Sequence, residues 1–213
     1  MEAGTLKGVS PGLDPERFAV EKAAAAREAL ARTALLTTDQ KNEALALISD
    51  ELGASADIIL EANGRDMAAG EKAGLGARLD RLLLTRERIE GIRRDIANVI
   101  TLPDPVGEEL GHVVRPNGMR VSRVRTPLGV VGIIYESRPN VTVDASVLCL
   151  KTGNAVVLKG GSEALHSNRA IVETLRRALG RSAVPAGALQ LLDSSDRAVT
   201  QAFLRLRGYL DVV

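Results

Sequence analysis

Gly129-Val130-Val131-Gly132-Ile133-Ile134-Tyr135-Glu136-Ser137-Arg138-Pro139-Asn140 is the stretch that decides the fold. Its first half is an uncharged run rich in β-branched residues, the pattern of a strand buried on both faces. Its second half is polar and reaches Pro139, which is tolerated at a helix start. An apolar helical segment follows from Asn140 to Lys151 and stops near Gly153. The same unit then recurs. Ala155-Val156-Val157-Leu158 reads as a second buried strand and Glu163 to Leu179 as its helix. Beyond Pro185-Ala186-Gly187, Leu189-Gln190-Leu191-Leu192 is a third strand, Asp196 to Leu206 a third helix, and Tyr209-Leu210-Asp211-Val212-Val213 the start of a fourth strand. Strands alternating with helical crossovers predict an α/β fold built on a parallel sheet covered on both faces.

The chain before this region reads differently. Asp14-Pro15-Glu16 is a helix start, with a capping Asp, a Pro in the first turn and a Glu that complements the dipole. An Ala-rich helix follows to Leu36. Thr38-Asp39 opens a second helix, with Gly53 as its stop, and Ser55 to Ala62 a third, ended by Asn63-Gly64. Thr85-Arg86-Glu87 begins another, which Pro103-Asp104-Pro105 ends. Between the helices and the sheet, His112 to Pro116 and Met119 to Val124 flank Asn117-Gly118, a hairpin signal in which both turn positions would take φ > 0. The expected division is a helical region 1–106, a hairpin arm 107–127 and an α/β region 128–213.

Composition narrows the functional classes. With 213 residues, 45% hydrophobic and 26% charged, the chain is globular rather than disordered. Lys and Arg number 28 against 27 Asp and Glu, so no global field recruits nucleic acid or an anionic membrane. Aromatic residues are 2% and Trp is absent, against stacking platforms for single-stranded nucleic acid. The single cysteine, Cys149, excludes an intramolecular disulfide and a zinc site built on several thiolates. Met1 to Lys7 carries no basic segment followed by an apolar run, and no stretch reaches the roughly 18 apolar residues of a membrane span, so the expected location is the cytoplasm.

Two segments carry chemistry. Lys159-Gly160-Gly161-Ser162-Glu163 joins a strand to a helix on the edge where open α/β sheets bind ligands. Its glycines would let N–H groups approach an anion, and the helix N-terminus would add positive charge. The same pattern also describes an ordinary loop with a solvated lysine. In Tyr135-Glu136-Ser137-Arg138-Pro139-Asn140, Arg138 can hold a carboxylate or phosphate with its fork. Asn140 can cap the next helix or donate to a developing oxyanion. Cys149, between Leu148 and Leu150 in a helix, reads as a buried inert thiol. His112 and His166 lie apart, with no metal-ligand spacing, and Arg115, Arg120, Arg123 and Arg125 read as a solvated or oligomer-facing ribbon.

Thr126 to Thr142 and Leu148-Cys149-Leu150-Lys151-Thr152-Gly153-Asn154-Ala155-Val156-Val157-Leu158-Lys159-Gly160-Gly161, with Leu79-Asp80-Arg81-Leu82 and Asp104-Pro105-Val106-Gly107, resemble the gamma-glutamyl phosphate reductases of the aldehyde dehydrogenase superfamily. The resemblance covers nearly the whole chain after the first dozen residues. It implies an aldehyde-dehydrogenase-like fold with an N-terminal helical layer, a β-hairpin arm for homo-oligomerisation and a partial Rossmann-like sheet. It also implies NADPH-dependent reduction of L-glutamyl 5-phosphate to the semialdehyde, in proline biosynthesis, through a cysteine thioester. By position, Asn140 matches the amide that stabilises the oxyanion, Lys159, Gly160, Gly161 and Ser162 match the adenosine-side cofactor loop, and Arg138 is a substrate-binding candidate; no metal is implied. The family's nucleophilic cysteine lies downstream of the Tyr-Leu-Asp-Val-like strand. The chain is therefore expected to match the N-terminal half and to be inactive alone. The alternative expectation is a non-catalytic nucleotide-binding or interaction module.

Overall fold

The structure, a computed structural model, describes residues 14–213; the reading of Met1 to Lys7 lies outside the described residues. Helix α1 (Pro15–Thr33) starts where Asp14 accepts hydrogen bonds from the N–H groups of Glu16 and Arg17. Its buried face is Ala19, Ala23, Ala26 and Ala29, small enough for close approach: a Cβ on Gly187 would sit 3.2 Å from the Ala25 carbonyl. The helix ends at Thr33 rather than Leu36, because Leu35 and Leu36 bond three residues back and tighten the exit. Helix α2 (Thr38–Ala54) opens with a capping box between Thr37 and Gln40.

One expected helix stop holds to within a residue and the other is overridden by tertiary contacts. Helix α2 ends at Ala54, one residue past Gly53, where a Cβ would lie 2.9 Å from the Arg93 guanidinium carbon. Helix α3 (Ala56–Lys72) runs through Asn63-Gly64. Asn63, 2% exposed, donates from Nδ2 to Leu82 O (2.8 Å) and Ser167 Oγ (3.0 Å), and its Oδ1 accepts from Leu84 N (2.8 Å). Those partners, distant in sequence, make the helix the better conformation for an Asn-Gly pair that locally favours a turn.

A short helix α4 (Leu79–Leu82) leads to α5 (Arg86–Thr101), capped by Thr85. After α5, half-buried Asp104 pairs with buried Lys41 and accepts from Thr38 Oγ1 and Val106 N. Burial alone would raise the Asp104 carboxyl, but the Lys41 ammonium and these hydrogen bonds hold it below the ordinary carboxylate range. This clasp anchors the root of an antiparallel ribbon, β1 (Glu109–Val114) and β2 (Arg120–Val124), in which every residue is exposed. Its turn differs from the Asn-Gly expectation. Gly118 N donates to Arg115 O, Pro116 and Asn117 are the central residues, and only Gly118 has positive φ (+81°). Pro116 fixes a φ suited to the first central position of a type I turn, which shifts the turn back by one residue.

The sheet contains β3 (Val130–Ile134), β4 (Ala155–Lys159) and β5 (Leu189–Leu191), paired in parallel in that order. Helices α6 (Pro139–Lys151) and α7 (Leu165–Leu179) make the crossovers, and α8 (Arg197–Leu204) follows β5. The expected fourth strand is reduced to a single bridge between Val212 and Val131, on the edge of β3 away from β4. Tyr209 and Leu210 are held in a turn by Leu206 O, which leaves little extended chain to pair. Asp211 is pinned there: its carboxylate accepts from Val130 N (2.7 Å) and pairs with Arg27 (2.8 Å), in space that a Cβ on Gly129 would occupy. Right-handed crossovers put α6 and α7 on one face. The reversal of direction after β5 puts α8, with α1 packed on it, on the other. Every residue of β4 is buried, as a doubly covered strand requires. The reversal also makes the C-terminal end of β3 a topological switch point, where such sheets bind ligands.

Asn63→Ala should therefore lower stability by about 2–4 kcal/mol, since it orphans a buried N–H and a buried carbonyl together. Urea unfolding followed by circular dichroism checks this; a loss below about 1 kcal/mol would show that water replaces the amide.

Candidate functional site

The segment after β3, residues 135–140, a loop that runs into the first turn of α6, separates two clefts. The first, about 350 Å³, lies between this loop and residues 159–163. Lys159, Arg78 and Arg197 bring positive charge to it, and Glu136 and Glu163 bring negative charge. The second, about 480 Å³, lies toward α5 and includes both Arg138 and Asn140.

Lys159 ends β4 and is only 7% exposed. Its ammonium donates to Gly160 O (2.8 Å), which engages one of its three protons. Burial lowers its pKa, opposed by the charge of Glu163. Glu163 reaches across the first cleft, and its Oε1 accepts from Ser137 N (2.7 Å) and Ser137 Oγ (2.6 Å). Burial would raise the Glu163 carboxyl, but these bonds, its own N–H and the Arg78 charge hold it below its ordinary value. Ser137 has φ of +29°, a left-handed conformation uncommon for a residue with a side chain, and the two hydrogen bonds it donates to Glu163 support it.

The loop glycines have an internal reason to be glycine. A Cβ on Gly160 would fall 2.1 Å from Asn168 Nδ2, and one on Gly161 2.3 Å from Glu163 Oε1. Asn168 accepts from Thr142 Oγ1 (2.8 Å), so the Tyr135 hydroxyl donates to Thr142 (2.7 Å), and the three side chains form a wall behind the loop. Burial pushes the Tyr135 phenol up to about 12 and keeps it protonated.

The helix-end contribution expected beside Ser162 is corrected by the structure. Residues 162–164 form a 3₁₀ turn, and α7 begins at Leu165. Its first N–H groups are taken by buried Asp66 of α3, which accepts from His166 N (3.2 Å), Ser167 N (2.7 Å) and Ser167 Oγ (2.6 Å). The end of α7 thus already holds an anion from within the chain. Nothing in the local sequence signals this, because Asp66 lies 100 residues upstream.

On the other cleft, Arg138 occupies the N-cap position of α6 and is exposed. Asn140 lies inside the helix and makes no cap, which corrects that reading. Its Nδ2 donates to Asp144 Oδ2 (3.1 Å), one turn on. Burial raises the Asp144 carboxyl, Asn140 opposes that, and the charge of Asp95 adds to it. Because an ionised carboxylate only accepts, Asp144 fixes which end of the amide is the donor and leaves its second N–H free of that bond. Cys149 is buried in α6, and burial pushes its thiol up to about 11, the opposite of an activated nucleophile. No described helix is long and apolar enough to cross a membrane.

Comparison with known proteins agrees with this architecture. The profile of the aldehyde dehydrogenase family matches residues 15–209. The gamma-glutamyl phosphate reductase of Geobacillus sp. (strain WCH70) is 51% identical over 193 residues, covering 90% of this chain and 47% of that protein. The crystal structure of the gamma-glutamyl phosphate reductase of Thermotoga maritima superposes with a TM-score of 0.88 at 42% identity, over 90% of this chain and 47% of that one. That of Saccharomyces cerevisiae superposes with 0.83 at 30% identity, over 90% and 49%. The chain spans about half the length of the curated relatives it matches. The match extends through both clefts and through every helix and strand described above, and the chain belongs to the aldehyde dehydrogenase family.

Proposed function

We propose that this chain supplies the cofactor-binding half of a cytoplasmic gamma-glutamyl phosphate reductase, which uses NADPH to reduce L-glutamyl 5-phosphate to the semialdehyde. The carrying observation is the segment 135–140, with Lys159 across one cleft and Arg138 and Asn140 on the other. Family membership implies a nicotinamide cofactor. The donor set fits one: a buried lysine with protons to spare, flanked by Arg78 and Arg197, suits a phosphorylated nucleotide. In this reading Lys159, Gly160, Gly161 and Ser162 hold the adenosine ribose and its 2′-phosphate. When bound, the nicotinamide supplies the hydride.

The remaining roles belong to this chain's side chains. Asn140 directs an amide N–H at the reacting carbonyl oxygen, where negative charge develops. Arg138 holds an anionic group of the substrate. Glu163, engaged by Ser137, keeps its charge committed across the cleft. The exposed ribbon, with Val113, Val121 and Met119 in solvent, suits an arm that packs on a second copy. The high pKa of Cys149 supports a nucleophile contributed from elsewhere.

Three measurements test this. The purified 213-residue chain, incubated with the semialdehyde, phosphate and NADP, should produce no NADPH absorbance, while the full-length enzyme should; turnover by the chain that disappears in Cys149→Ser would overturn the reading. In the full-length enzyme, Lys159→Ala should weaken NADPH binding by about 1–3 kcal/mol and NADH binding less, read by fluorescence titration at fixed salt. Equal losses would mean that Lys159 does not read the 2′-phosphate. Asn140→Ala should lower kcat by about 10²–10³ with NADPH affinity nearly unchanged, the scale of one lost oxyanion donor; an unaltered kcat would leave the amide only its bond to Asp144.

A further inference from the structure

The larger cleft carries an unusual set of charges. One face is the stripe Arg88, Gly91, Ile92 and Asp95 of α5, spaced i, i+3, i+4 and i+7. Arg88 is satisfied by Asp80, with Nη2 2.7 Å from its Oδ1. Three other charged side chains of the lining, Arg81, Arg138 and Asp95, make no ion pair or hydrogen bond with another described residue. Behind the lining, Asp144 is partly buried and feels the charge of Asp95, and among the described residues no cation pairs with either. The cleft therefore presents two uncommitted guanidiniums and one uncommitted carboxylate beside Asn140.

The floor is open as well. Gly91 lies in mid-helix, where glycine is less favourable than alanine. A Cβ there would meet only the Arg94 guanidinium, at 3.7 Å, so packing does not require a glycine. Its effect is to leave room between Arg88 and Asp95.

Resting on the reading above, we infer that this cleft recognises the amino-acid end of the substrate, with Asp95 receiving the α-ammonium and Arg81 the α-carboxylate over the floor at Gly91. Gamma-glutamyl phosphate carries one cationic and two anionic groups, and the uncommitted charges of the cleft are their complement. Arg138, two residues from Asn140, is at the reacting end and takes the phosphate. Arg81 and Asp95 remain for the two charges that share the α-carbon. Asp95 thereby makes the site selective for an aminated aldehyde over a plain dicarboxylic semialdehyde.

The test uses the full-length enzyme in the aldehyde-oxidising direction with phosphate, comparing 2-amino-5-oxopentanoate with 5-oxopentanoate, which lacks only the amine. The wild type should favour the aminated aldehyde in kcat/KM by about 10–100-fold, the scale of a charge-assisted contact. Asp95→Asn should bring that ratio close to one. Arg81→Gln should lower kcat/KM for both and keep the ratio, since both carry the carboxylate. Gly91→Leu should raise KM for both without lowering the thermal midpoint. A wild-type ratio near one, or Asp95→Asn lowering both aldehydes equally, would overturn the inference while leaving the reductase reading intact. Turnover of neither aldehyde by the wild type would overturn the reductase reading and this inference with it.

Discussion

Asn63 and Asp66, one turn apart on α3, hold the start of α7, and the two halves of the structure depend on that contact. Ser167 stands between them, accepting from the Asn63 amide and donating to the Asp66 carboxylate. Asn63 also spans the exit of α4, between Leu82 O and Leu84 N. One buried cluster thus fixes α3, α4 and α7 against one another. A carboxylate this buried would cost several kcal/mol without partners; two helix N–H groups and a hydroxyl offset that cost, and the end of α7 is oriented in the process. Because α7 follows the loop 159–163 directly, the helical layer positions the loop from below. The consequence is electrostatic. The first cleft owes its positive character to Lys159, Arg78 and Arg197, and little to the helix end beneath.

What could be read from the sequence follows the range of the interactions involved. The strands Val130–Ile134 and Ala155–Lys159 are visible because each opens with a continuous apolar run, as a covered parallel sheet demands; β4 is buried throughout, whereas β3 alternates buried and half-buried residues and leaves Ile134 exposed. Helix starts at Asp14 and Thr85 are visible because capping is local. Asn63-Gly64 misleads for the converse reason: its local preference is for a turn, and its partners lie 19 to 104 residues away. Pro116 was the local signal against an Asn117-Gly118 two-residue turn, since its fixed φ places it inside the turn. The two clefts show the same division. Lys159, Arg138 and Asn140 can be placed at the sheet's ligand edge from their position after strands, whereas Asp66, Asp95 and Asp144 sit on helices whose neighbours only the tertiary fold supplies.

Ser137 shows how the two clefts are kept distinct. Its left-handed backbone costs on the order of 1 kcal/mol or more in a residue with a Cβ. A glycine would relieve that cost but would lose the hydroxyl that meets Glu163. The serine is therefore a compromise between backbone freedom and the need for a donor. With its N–H and Oγ both on Glu163, the chain turns sharply enough that Glu136 and Ser137 belong to one cleft while Arg138 and Asn140 belong to the other. The same bond keeps the Glu163 carboxylate from moving freely over Lys159. The bond's geometry thus sets the backbone direction after β3 and the charge balance of the first cleft together, and a change at either residue must alter both.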